Sequence, residues 1–229
     1  MEVDTAIEQN MNILHNDIVL CSTARLLEEI LKILRKGNAL RGFQEMTRYQ
    51  FCNKLIPQLQ HFYAEMHTEY LVLLERCLYA ADTLFLEGKK VYDMPLICSL
   101  FYPVYLFYLS EAEKRGGNLD RGELASFILY HYAGYLHLTK RMTEKLKQIL
   151  ILLHYFSTKF TGKNRKGKRN DPLRIAGRTF FKESLNFYKI LCMAQLGDDR
   201  VYRYWKSFYF KVATSNDSLH DDNIEQLTG

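Results

Sequence analysis

Residues that make tight turns are scarce: only 12 Gly and 4 Pro occur among 229 positions. An all-β chain of this length would need many more, so helix is the expected class. Cysteine is sparse as well. The five (Cys21, Cys52, Cys77, Cys98 and Cys192) are odd in number, far apart and without a CxxC pair. That spacing argues against a zinc ribbon and against a disulfide framework. Each falls in an apolar helical stretch, where a thiol is expected to pack as a small hydrophobe. Nor is there an apolar run near the start, because Glu2, Asp4, Glu8 and Asp17 interrupt any signal-peptide core. Free thiols and no leader together predict a reducing, intracellular setting, nucleus or cytoplasm.

Catalytic and cofactor signatures are missing too. His61 and His67, like His131 and His137, are six residues apart, which puts each pair on different sides of a helix. Neither HExxH nor Glu-x-x-His occurs, so zincin and di-iron bundle chemistry have no support. The glycines at Gly116-Gly117 and from Gly162 to Gly167 match neither GxxxxGK[ST] nor GxGxxG, and no strand precedes them. No GxSxG elbow is present. Glu65/Glu69 and Glu111/Glu113 read as solvated carboxylates. The expectation is a nonenzymatic protein without metal or cofactor.

What the sequence does have is charge segregation. Residues 1–139 carry 13 Lys/Arg against 17 Asp/Glu, whereas residues 140–211 carry 18 against 5. The net of +13 in the second stretch hides inside a chain whose total is only +5. Such asymmetry points to a polyanionic partner.

Apolar periodicity predicts helices over Thr5–Lys36 (bent near Ser22-Thr23 and stopped by Gly37), Gln44–Lys54 and Pro57–Leu86. Others follow over Pro95–Arg115, Arg121–His137 and from Lys140 or Thr143 to Phe160. Asp171 as N-cap and Pro172 at the first turn open another, running to Leu196 and stopped by Gly197. Asp199 to Val212 makes the last. The expected fold is therefore all-α, a bundle of about seven to eight helices. It forms one domain over residues 1–213, followed by a flexible acidic tail over 214–229. Met94–Ser110 and Leu124–Thr139 are uncharged, but at 17 and 16 residues they fall short of the roughly 20 a spanning helix needs. Buried bundle helices are expected there, not stable membrane insertion.

A basic loop separates the long helix ending near 160 from the helix starting at 172. From Lys159 through Lys182 there are nine Lys/Arg and a single acid, Asp171. Lys159, Lys163, Arg165, Lys166, Lys168 and Arg169 lead into a capped helix N-terminus, whose amides and dipole favour an anion. Beyond it Arg174, Arg178 and Lys182 recur every four residues, with Lys189 seven further on. On one continuous helix they would form a cationic ridge. Arg174 in the first turn opposes the macrodipole, so helix stability does not account for it. Arg200 and Arg203 extend the cationic set onto the last helix, where Tyr202 and Tyr204 could stack on exposed bases.

These residues predict a helical module that binds nucleic acid, RNA ahead of DNA, through phosphate contacts. The alternative is a scaffold or adaptor subunit of a larger complex, docking acidic or phosphorylated protein segments on the same surface. Lys163 to Arg169 also has the composition of a nuclear-import signal, compatible with either reading.

Overall fold

The computed structural model describes residues 9–11, 13, 15–116, 119–160 and 171–225. Among these residues the chain is all helical, as expected. A 3-10 turn (His15–Leu20) precedes α1 (Thr23–Leu34), α2 (Ala39–Arg48), α3 (Phe51–Leu55) and α4 (Pro57–His61). A π turn at Phe62–Met66 leads into α5 (Thr68–Leu86), and α6 (Asp93–Lys114) and α7 (Arg121–Tyr132) follow. Then come a 3-10 turn (Gly134–Leu136), α8 (Lys140–Phe160), α9 (Pro172–Ala176), α10 (Phe181–Met193) and α11 (Asp199–Glu225).

The hub is α6, which packs against α1, α5, α7, α8 and α10. Its apolar length has the composition of a spanning segment, yet 61% of the most apolar 18-residue window is buried inside the protein. Every residue from Met94 to Tyr105 is buried, Pro103 included. The second uncharged stretch is broken by His137, which takes a left-handed conformation at φ 46°.

Several helices differ from the periodicity, each for a local reason. The expected first helix is interrupted at Cys21-Ser22, and α1 begins at Thr23. Gly37 does end this segment with φ +73°, and a Cβ there would sit 3.0 Å from the Phe85 ring. The second helix starts earlier than Gln44, because Asp82 on α5 accepts hydrogen bonds from the Ala39 and Leu40 amides at 2.7 and 3.0 Å. Its cap comes from another helix, so nothing nearby in sequence announces it. Gln50, at φ 60°, then separates α2 from α3. The helix expected from Pro57 to Leu86 is broken by the π turn and by His67, whose ring packs 4.6 Å from Phe62 and 4.0 Å from Phe107.

The helix expected from Pro172 to Leu196 is two helices, α9 and α10. Ile175 and Phe181 are both at 1% exposure. The turn from Gly177 to Phe180, with Phe180 at φ 66°, lets both enter the core. There Phe181 meets Phe156 (5.3 Å between centroids) and Trp205 (5.9 Å). Trp205 is fully buried and its indole N–H donates to the Phe156 carbonyl at 3.1 Å. α11 continues past Val212 to Glu225, through a stretch containing neither Gly nor Pro to stop it.

Candidate nucleic-acid interface

The basic region begins where α8 ends. Lys163, Arg165, Lys166, Lys168 and Arg169 lie outside the described residues, as does the side chain of Lys159 on the last turn of α8. The described part starts at Asp171, which caps α9 by accepting from the Leu173 amide at 3.1 Å. Helix and cap form as the Asp-Pro pair predicts.

The ridge does not. Because the chain turns between Gly177 and Phe180, Arg174 sits on α9, Arg178 in the turn, and Lys182 and Lys189 on α10. Arg174, Arg178 and Lys182 are exposed. Arg178 lies 4.9 Å over the Tyr155 ring of α8, and Lys182 lies 5.7 Å over Tyr92. Lys90 covers the same Tyr92 ring at 4.9 Å. The Tyr92 hydroxyl, by hydrogen bonding, raises the Lys182 pKa above its ordinary value, so this ammonium is fully charged at neutral pH. Cation–ring contacts orient these groups without neutralising them.

Lys189, Arg200 and Arg203 belong to a different arrangement. Lys189 pairs with Asp199 at 3.2 Å, and Arg203 reaches the same carboxylate at 3.6 Å. Arg200 pairs with Asp198 at 2.7 Å, and that hydrogen bond lowers the Asp198 pKa. The two acids at the start of α11 thus offset the cations expected to extend the basic surface. Tyr202 and Tyr204 are engaged as well: Lys189 lies 4.9 Å over Tyr202, and Tyr204 packs edge-on against Trp205 at 5.3 Å. Tyr204 is part of the aromatic core layer.

The region therefore divides in two. Arg174, Arg178 and Lys182 present charge to solvent without a carboxylate in the ion pairs above, Lys189 ties α10 to the beginning of α11 through Asp199, and Arg200 and Arg203 pair locally at the start of α11 while staying exposed. Among the described residues no group of His, Cys, Asp and Glu could hold a metal ion.

Comparison with known proteins points to another part of the chain. No curated protein matches it. Residues 1–63 match a family described as the probable RNA and SrmB-binding site of polymerase A. The match covers α1 to α4 and reaches the first residues of the π turn, 63 of 229 residues. None of the basic residues singled out above falls within it. Charge could not have revealed this segment, since its seven Lys/Arg are matched by seven Asp/Glu. Its Arg35 is spent on structure, in a two-pronged ion pair with Asp93 of α6 at 2.8 Å to each oxygen. The N-terminal quarter is thus similar to an RNA-binding helical segment, and it is fastened to the hub of the bundle.

Proposed function

We propose that this chain is a nonenzymatic helical module that binds RNA, with phosphate affinity supplied by the basic region from Lys159 to Lys182. The match of residues 1–63 to a family described as RNA-binding carries the choice of RNA. Charge segregation supports the choice of surface: solvent-facing Arg174, Arg178 and Lys182 flank the Lys163–Arg169 run on its C-terminal side. Phosphate contacts of this kind give affinity with little base preference.

A second reading is a protein-docking subunit. The family description names SrmB beside RNA, and Val72, Tyr79 and Leu86 form an exposed apolar stripe at seven-residue steps along α5. Binding of a short single-stranded RNA and of an acidic phosphopeptide of equal charge separates the two. The RNA reading expects the oligonucleotide to bind at least tenfold more tightly at 150 mM salt. Equal affinities, or a preference for the peptide, would refute it.

A further inference from the structure

The two antiparallel helices that lead into the basic loop enclose a groove. α7 and α8 approach closely at Gly122, where a Cβ would lie 3.7 Å from Ile151 and 3.7 Å from the Lys147 side chain. On either side of that approach the groove opens into two cavities. One, of about 520 Å³, is lined by Asp120, Arg121, His154 and Tyr155. The other, of about 490 Å³, is lined by Tyr130, His137 and Lys147 among others. Both fall in the range of small-ligand sites. Thr143, Lys147, Ile151 and Tyr155 repeat at four-residue steps, so they form one stripe along α8. Lys147 joins the cavities, since it lines the second and approaches Gly122 at the edge of the first.

We propose that this groove takes a single-stranded RNA segment entering from the side of Arg178, with one nucleoside in each cavity. The inference rests on the RNA-binding reading and assigns it a path. Position is the first argument. Tyr155 is five residues before the end of α8, and its ring carries the Arg178 guanidinium from the far side of the loop. The first cavity thus adjoins Arg178, one of the solvent-facing cations.

Chemistry is the second. Asp120 Oδ1 accepts from the Gly122 and Glu123 amides at 2.7 and 2.9 Å, and these bonds keep its carboxyl below the usual pKa. A carboxylate has about four lone-pair sites, so it retains acceptor capacity. It repels a phosphate but accepts from a ribose 2′-hydroxyl or an exocyclic amine. Arg121, which lines the first cavity, has its Nε buried with no hydrogen-bond partner among the described residues. An unsatisfied donor beside the His154 and Tyr155 rings suits a base and sugar, while Arg178 and Lys147 suit the phosphates.

The test uses the full chain with a fluorescein-labelled 12-nucleotide oligo(U), variants Tyr155→Ala and Lys147→Ala, and ultraviolet crosslinking of the unaltered protein. Tyr155→Ala is expected to weaken binding about tenfold through lost stacking. Lys147→Ala, a surface change with an unaltered melting curve, is expected to lower the salt slope by about 0.7. Crosslinks are expected at Tyr155, His154 or Tyr130. Unchanged affinity and slope in both variants, with crosslinks confined to residues 163–182, would overturn the groove and leave RNA binding intact. Failure of the unaltered chain to bind oligo(U) would overturn both.

Discussion

At the scale of single residues, environment decides what each thiol and ring can do. Cys52, Cys77 and Cys98 are buried as the sequence predicts, but Cys21 is exposed in the break before α1. Burial pushes Cys52 up to about 11 and Cys77 to about 12, and it also raises the half-buried Cys192 to about 12. A thiol in that range is almost wholly protonated at pH 8, and the thiolate is the reactive form. Cys21 should therefore react with a thiol reagent in seconds to minutes at pH 8, while Cys52, Cys77 and Cys98 wait for unfolding. A mass-spectrometric time course of alkylation checks the order; early labelling of Cys77 or Cys98 would contradict the packing. The buried role of cysteine was legible from its apolar neighbours. The exposure of Cys21 was not, because it follows from a helix break that periodicity places only approximately.

At the scale of elements, helices whose signals are local were readable, and those whose signals come from elsewhere were not. Asp171-Pro172 starts a helix where the pair predicts, and Lys140–Phe160 follows its apolar stripe. By contrast, the start of α2 depends on Asp82, forty-three residues away from Ala39. Replacing it should release two amides at once. Asp82→Ala is expected to cost about 1–2 kcal/mol, the scale of a lost cap, measured by urea unfolding of the full chain. A cost below about 0.3 kcal/mol would mean that the cap contributes nothing. The division of α9 from α10 belongs to the same class, since the left-handed turn at Phe180 seats Phe181 against Phe156 and Trp205, partners distant in sequence. That turn also breaks the expected cationic ridge: the charges are near one another in sequence, but they are spread over a helix, a turn and a second helix.

At the scale of the molecule, charge and family likeness mark opposite ends of the chain. The basic region was visible as composition, and so were the local pairs of Arg200 with Asp198 and Arg203 with Asp199, but the pairing of Lys189 required the fold, because Asp199 meets it only where α11 packs on α10. The likeness of residues 1–63 to an RNA-binding family leaves no mark in charge or spacing. The two ends meet at α6: the N-terminal segment docks to it through α1 and Arg35, and α6 in turn packs against α7, α8 and α10. On this account RNA affinity is electrostatic and draws mainly on the loop. The most direct test measures the dissociation constant of a single-stranded RNA against salt, for the intact chain and for a variant with Lys163, Arg165, Lys166, Lys168 and Arg169 all replaced by Ala. The slope of log K against log salt should fall by up to about 3.5 in the variant, at about 0.7 per released phosphate contact. An unchanged slope and affinity would contradict the account.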